Sequence, residues 1–266
     1  MKMYTSKDHT FVICAYKESP YLRDCIASLK AQTVQSNIII ATGTPNEYIR
    51  GIASEFGLPL HVNEGETGIG QDWNYGYGAS DTALVTIAHQ DDVYDPDYLK
   101  TALASLNARK HPLIFFTDYG ELREGVFVNN NTLLRVKRLL IFPMRIKFLS
   151  GFRFWKRRVL SLGDPICCPS VTFVKKSLPN PVFRTRFKCT LDWDTWERIA
   201  NIKGEFVYSH RILMHHRIHT ESETTKLLAD NVRAKEDYQM FCRFWPKWIA
   251  RLLIRQYVKS EKSNQV

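Results

Sequence analysis

The chain has 266 residues and 44% hydrophobic content, enough to bury a real core as one large α/β domain or one domain with appendages. No uninterrupted apolar run approaches the roughly 20 residues of a membrane-spanning helix, and residues 1–10 are too polar and charged for a signal peptide. The net charge of +10 is concentrated: residues 125–163 and 238–260 hold fourteen Lys or Arg and no acid, which leaves the remainder at −4.

Residues 10–16 (TFVICAY) form a continuous apolar run, as expected of a strand covered on both faces. Ser19 and Pro20 are expected to start a helix whose stripe is Leu22, Cys25, Ile26 and Leu29, spaced i, i+3, i+4, i+7. Residues 37–41 (NIIIA) are a second strand. Thr44-Pro45-Asn46-Glu47 reads as a capping box with proline at the first helical position, and Gly57 stops that helix. Residues 60–63 give a short third strand. Residues 68–80 form a glycine-bearing turn leading into a helix. Residues 83–88 are a buried fourth strand, broken by His89-Gln90-Asp91-Asp92. Asp95 and Pro96 read as N-cap and first residue of a helix running to about Asn107, and residues 113–117 (LIFFT) form a fifth strand. Strands alternating with helices of 10–15 residues predict βαβ units and a parallel sheet. Gly68-Ile69-Gly70 lacks the third glycine of a dinucleotide fingerprint, and there is no Walker A sequence.

Beyond residue 120 the pattern loosens, and no linker marks a boundary there. Residues 133–159 interleave basics with Leu, Ile, Phe, Met and Trp. Residues 166–174 read as a loop entering a strand, 190–200 as a helix with acids in its first turn, 205–209 as a strand, and 210–225 as a polar, histidine-rich loop. From Asn231 the chain is helical, with Pro246 as a break. The six cysteines, at 14, 25, 167, 168, 189 and 242, show no CxxC pair or zinc spacing and read as reduced thiols of a cytosolic protein.

The polar cluster after the fourth strand is the centre of the reading. Ligands of open α/β sheets bind at the carboxyl ends of strands. Two adjacent carboxylates there can hold a hard divalent cation whose remaining positions are filled by a substrate phosphate.

Taken in order, the motifs resemble those of the family 2 glycosyltransferases with a GT-A fold. Residues 11–18 (FVICAYKE) are similar to the family's opening strand, and 68–76 (GIGQDWNYG) to its glycine-turn helix. Residues 89–92 sit where the family has its D-x-D motif. Residues 191–196 (LDWDTW) resemble its E-D-W-x-x-W helix start, and Arg217-Ile218-His219 its R-x-H segment. The resemblance implies a mostly parallel Rossmann-like sheet flanked by helices, with a basic helical insertion and C-terminal helices. It implies a GT-A domain over residues 1–225, with a nucleotide-sugar half to about 120 and an acceptor half after it. Basic amphipathic helices would follow in 226–266.

It further implies an inverting glycosyltransferase that moves a sugar from a nucleotide donor, a UDP-sugar by preference, to a saccharide or lipid-linked saccharide in cell-surface polysaccharide synthesis. Donor contacts fall on Ala15, Tyr16, Glu18, Thr42, Gly70, Asn74, His89, Gln90, Asp91 and Asp92. Mn2+ or Mg2+ would be held by Asp91 and His219, and Asp192 would be the catalytic base. Two departures stand out. His89 replaces the first acid of the D-x-D motif, and Thr42-Gly43-Thr44 replaces the acids that read the base.

His215 and His219 lie four apart, but no Glu follows His215, so a metalloprotease-type zinc site is not expected. Trp193 and Trp196 read as core, and Cys167 and Cys168 as packing residues. Two other readings are open at this stage. A sugar nucleotidyltransferase would need a glycine-rich loop after the first strand, where AYKESP has no glycine. A membrane-associated binding protein would use the basic segments. Arg243, Lys247, Arg251, Arg255 and Lys259 recur every four residues with Trp245, Trp248, Leu252, Leu253 and Ile254 between them. That pattern gives either a core-packed helix with a solvated basic side or a peripheral attachment to the anionic inner face of the plasma membrane. Basics interleaved with bulky aliphatics argue against nucleic acid.

Overall fold

A computed structural model describes residues 3–219 and 232–262, with side chains to residue 257. Nine strands form one sheet in the order β3-β2-β1-β4-β8-β6-β9-β5, with β7 paired on β6. The strands are β1 (His9–Ala15), β2 (Asn37–Thr42), β3 (Leu60–Val62), β4 (Leu84–His89), β5 (Val93–Tyr94), β6 (Pro112–Arg123), β7 (Val126–Val128), β8 (Val171–Val174) and β9 (Glu205–Ile218). β1 to β4 are mutually parallel; β8 runs against β4 and β6, and β9 runs parallel to β6. Six strands therefore share one direction, and β5, β7 and β8 oppose it.

The helices are α1 (Leu22–Lys30), α2 (Glu47–Phe56), α3 (Ile69–Ala79), α4 (Tyr98–Asn107), α5 (Thr132–Ile141), α6 (Arg153–Val159), α7 (Leu191–Ala200), α8 (Val232–Phe241) and α9 (Lys247–Lys262). They cover both faces. On one side Leu22, Cys25, Ile26, Leu29, Ile49, Ile52 and Leu99 pack on Phe11, Ile13 and Ile40. On the other, Val12, Val85, Ile87 and Phe173 meet α3, α7 and the C-terminal helices. β1 is buried on both faces, and because neighbouring side chains of a strand point to opposite faces, Val12 serves one core and Phe11 and Ile13 the other. Gly76 brings α3 against the sheet: a Cβ there would stand 2.6 Å from Val12 Cγ1 and 3.1 Å from Ala41 Cβ.

Several boundaries differ from the sequence reading. Thr44 does not cap α2, because its hydroxyl accepts from Lys17 N (2.7 Å); Asn46 caps instead, accepting from Ile49 N (2.8 Å). Asp95 and Pro96 form a turn and not a helix start. The Asp95 carboxylate accepts from Asp97 N, the Pro96 carbonyl accepts from Thr33 N, and the helix begins only at Tyr98. The strand expected at 113–117 is β6, twelve residues long, and residue 120 falls within it.

The largest correction is at 210–218, read as loop but forming the second half of β9. Its polar side chains find partners across the sheet: His215 with Asn129, His216 with Asp92, Arg217 with Asp24. Gly120 opens the space for this, since a Cβ would lie 2.5 Å from His215. Residues 220–225 of that predicted loop, and the side chain of Lys259, lie outside the described residues.

Candidate active site

The carboxyl ends of β1, β2 and β4 open on one edge of the sheet, and the predicted donor residues gather there. β4 ends in His89, and the chain turns through Gln90, Asp91 and Asp92 before β5. Gln90 clamps the end of β1: its Oε1 accepts from Tyr16 N and its Nε2 donates to Tyr16 O, both at 3.0 Å. The next residue, Lys17, has φ 52°, the left-handed region that non-glycine residues seldom occupy, and Thr44 holds its N–H. Ala15 is buried at the end of β1, and Tyr16 and Glu18 are exposed. Thr42 is buried, its hydroxyl accepting from Thr44 N (3.0 Å).

From α3, Asn74 spends its amide on the backbone of Phe183, accepting from N and donating to O (2.9 and 2.8 Å). Gly70 lies against Thr185. Gln90 and Asn74 therefore act here as braces on neighbouring backbone.

The two acids of the turn differ. Asp92 is fully buried, and its Oδ1 accepts from Arg217 N and pairs with His216 Nδ1, both at 2.9 Å. Burial works against the His216 cation, but Asp92 outweighs it and lifts the imidazole to about 9. Asp91 presents Oδ2 to His219 Nε2 at 2.9 Å, joining residues 128 apart in sequence. Burial opposes the Asp91 anion, yet His219, His216 and His89 hold its carboxyl below the usual range. Arg217 braces the turn: Nε donates to Asp91 O (2.8 Å), Nη2 donates to Asp24 Oδ2 (3.0 Å), and the guanidinium lies 4.2 Å over the Tyr21 ring. His89 stacks on Trp73 at 4.9 Å, and burial lowers its pKa against the pull of Asp92 and Asp91.

The donor set fits a divalent cation. Ligands on neighbouring vertices of an octahedron with bonds of about 2.1 Å stand about 3.0 Å apart, close to the Asp91–His219 separation of 2.9 Å. His89, Asp91 and Asp92 also bring one ligand atom each within 4.8 Å of one another. Two buried atoms of this group, His89 Nε2 and Asp92 Oδ2, have no hydrogen-bond partner.

Asp192 lies in the first turn of α7, half-buried, with Oδ1 accepting from Trp193 N (2.8 Å). Its charge acts on His89 and on Cys167, so the acceptor-half acid and the β4 turn share one electrostatic neighbourhood. Asp194 faces inward, fully buried against Arg186 (2.7 Å) and Arg243 (2.5 Å). Trp193 and Trp196 are buried core residues.

Three features were not anticipated: the roles of Asp164 and Asp72, and the pairing of Arg217 with Asp24. Asp164 neighbours Asp192; burial and that neighbouring carboxylate push its carboxyl well above the usual range. A lone acid between a glycine and a proline gave no signal of this. Arg217 and Asp24 form the brace behind Asp91, legible only in that Arg217 belongs to the R-x-H segment. Asp72 stands against Gly43, where a Cβ would meet its Oδ1 at 2.4 Å. The end of β2 thus has a carboxylate beside it after all, delivered from α3 and held by Asn63 Nδ2 (2.8 Å).

Sheet order and the acid turn place a polar, acid-bearing site at the carboxyl ends of parallel strands, where α/β folds bind ligands. The family model for glycosyl transferase family 2 matches residues 10–178, well over half of the chain, and the chain belongs to that family. No curated protein sequence matches it. Among solved structures, residues 1–349 of S. aureus TarS in complex with UDP-GlcNAc align with TM-score 0.65 and 13% identity, covering 97% of this chain and 73% of that one. A mannosyltransferase from Pyrobaculum calidifontis, in complex with GDP-Man and Mn2+, aligns with TM-score 0.64 and 12% identity, covering 94% and 70%. Of the longer S. aureus TarS structure the chain covers 44%, at TM-score 0.61 and 9% identity. The fold is GT-A.

Proposed function

We propose that this glycosyltransferase transfers a sugar from a nucleotide sugar, a UDP-sugar by preference, to a hydroxyl of a saccharide or lipid-linked saccharide, with inversion. The observation that carries this is the Asp91–His219 contact of 2.9 Å at the carboxyl end of β4. It pairs two strong ligands at a half-buried turn in a family 2 chain. Asp91 and His219 would hold Mn2+ or Mg2+, and the imidazole favours manganese. When bound, such an ion supplies positive charge to the donor diphosphate as it leaves.

The remaining chemistry falls to side chains. The acceptor oxygen attacks the anomeric carbon, and the bond from that carbon to the diphosphate oxygen breaks. The hydroxyl proton passes to Asp192, whose effect comes from placement, because a carboxylate is a weak base. One displacement inverts the anomeric centre. Asp164, beside Asp192, orients it. Tyr16 and Lys17, fixed by Gln90 and Thr44, shape the nucleoside side, and Asp72 stands at the end of β2 where a base would be read.

The acceptor belongs to cell-surface polysaccharide synthesis on the cytoplasmic side, a reading supported by six free thiols. The family match sets aside the nucleotidyltransferase. A panel of nucleotide sugars with manganese, scored first for slow donor hydrolysis and then for anomeric configuration of the transfer product, tests the proposal. Hydrolysis of a UDP-sugar and an inverted product support it; no turnover across the panel, or retention, refutes it.

A further inference from the structure

Among the described residues fourteen large apolar side chains are exposed, and ten of them fall within residues 136–162 or on α9. Scattered exposed hydrophobics are ordinary, but a concentrated group marks an interaction surface. Phe148 and Phe154 are 75% and 67% exposed, Leu139 is 74% exposed, and Trp248 is 64% exposed. The rings of Phe148 and Phe152 touch at 4.8 Å.

The two segments meet in space. Trp245 Nε1 donates to Ser161 O (2.7 Å), Arg158 lies 4.8 Å over the Trp245 ring, and Arg157 lies 5.0 Å over Phe244. An open cleft of about 380 Å³ at this seam is lined by Arg153, Phe154, Arg157, Arg158, Ser161 and Phe244.

The two sides of α9 differ. Its inner side packs on the core through Ala250, Leu253, Ile254 and Tyr257. Its outer side carries Lys247, Trp248, Arg251, Leu252 and Arg255, all exposed. A solvated outer face would be polar throughout; this one mixes cations with Trp and Leu, as interfacial helices do. No acid occurs in 125–163 or 238–260, and eight of the basics there are exposed. Lys147, Lys247, Arg251 and Arg255 have no ion-pair partner among the described residues.

We propose that this face, from Phe142 through Leu162 and across the arginine-lined cleft to the outer side of α9, docks on the surface of an anionic lipid bilayer. The Phe and Trp side chains enter the headgroup region, and the guanidinium groups of Arg153 and Arg158 in the cleft take lipid phosphates, Arg157 being paired with Glu197. The surface offers both components that bilayer attachment needs, apolar area and unopposed positive charge. Aromatics beside arginines also suit stacked bases, but the exposed aliphatic Val136, Leu139, Ile146, Leu162 and Leu252 offer bases nothing and favour lipid, and this basic face would repel a second copy of itself. The proposal does not depend on the transfer reading.

The test is co-sedimentation of the full chain with vesicles of phosphatidylcholine, with and without about 30% phosphatidylserine. Binding to the anionic vesicles alone, weakened by salt, is expected. A Lys147→Glu/Lys247→Glu/Arg251→Glu/Arg255→Glu variant should bind several hundredfold more weakly, at about fivefold per charge. A Phe148→Ser/Phe152→Ser/Trp248→Ser variant keeps the charge and should still lose about tenfold or more. Thermal midpoint and manganese-dependent donor hydrolysis in solution report folding, and both should be unchanged in the two variants. No pelleting at low salt, equal pelleting with neutral vesicles, or wild-type binding by either folded variant would overturn the proposal. So would tighter binding to a single-stranded oligonucleotide than to vesicles, or a lipid-free dimer abolished by the Phe/Trp variant.

Discussion

Asp192 and Asp194 lie two residues apart on α7, and their surroundings assign them opposite consequences. Asp194 is fully buried between Arg186 and Arg243; burial raises its pKa and the arginines oppose that rise. Asp194→Asn leaves two guanidinium groups facing a neutral amide. Breaking a buried pair costs about 3–5 kcal/mol, and the half-exposed Arg186 can recover water, so about 2–4 kcal/mol is expected. With an unfolding entropy of about 2.1 cal/mol/K per residue, a chain this size loses roughly 4–7 °C in thermal midpoint.

Asp192 is half-buried beside its own helix's Trp193 N–H, which donates to it, and the Asp164 carboxyl. Asp192→Asn should therefore leave the midpoint within about 1 °C, since surface-type changes stay near ±0.5 kcal/mol. Nucleotide affinity should also hold, while transfer to acceptor falls by about 100-fold or more, the scale of a lost general base. The assay pairs differential scanning calorimetry with nucleotide-binding calorimetry and a transfer rate for each variant. Normal transfer by Asp192→Asn would refute the assignment. If Asp194→Asn lost transfer while keeping its midpoint, the two roles would be exchanged.

Other expectations concern the frame of the site. His9 is buried between Ser36 and Thr86 hydroxyls at 2.9 Å each, and burial lowers its pKa from 6.5 to about 3. The unfolded chain takes up a proton that the folded one refuses. The contribution is therefore full above pH 6.5 and is lost as pH falls towards 3, by about 1.4 kcal/mol per unit; denaturant melts of His9→Gln against wild type at pH 7 and 5 should differ by about 2 kcal/mol in pH sensitivity. Gly76→Ala forces a methyl onto Val12 and should cost about 1–3 kcal/mol despite the better helix propensity of Ala, read from urea midpoints. Gln90→Ala frees the Tyr16 backbone; it should raise KM for the donor several-fold and cost about 1 kcal/mol in stability, read from steady-state kinetics and a urea melt.

The first half of the chain was largely legible because its strands are short apolar runs and its helices carry clear stripes: β1, β2, β4, α1 and α3 lie within a residue or two of their predicted limits. Where side chains had two possible uses, tertiary structure chose. Thr44 could cap α2, but its hydroxyl faces Lys17. The histidines of β9 look like loop residues until Asp92, Asn129 and the gap at Gly120 are brought beside them. The Asp91–His219 contact was legible from the D-x-D and R-x-H segments. Asp164, Asp72 and the Asp24–Arg217 brace were not, because a lone acid reveals its role only through neighbours far away in sequence.

The central claim is that Asp91 and His219 together hold the cation on which the donor diphosphate rests. Isothermal titration of UDP with and without manganese, for wild type, Asp91→Ala and His219→Ala, tests it without relying on turnover. Manganese should tighten UDP binding in wild type, and that gain should vanish in Asp91→Ala and fall at least tenfold in His219→Ala, with thermal midpoints showing both variants folded. A manganese-dependent gain of wild-type size in Asp91→Ala would contradict the account.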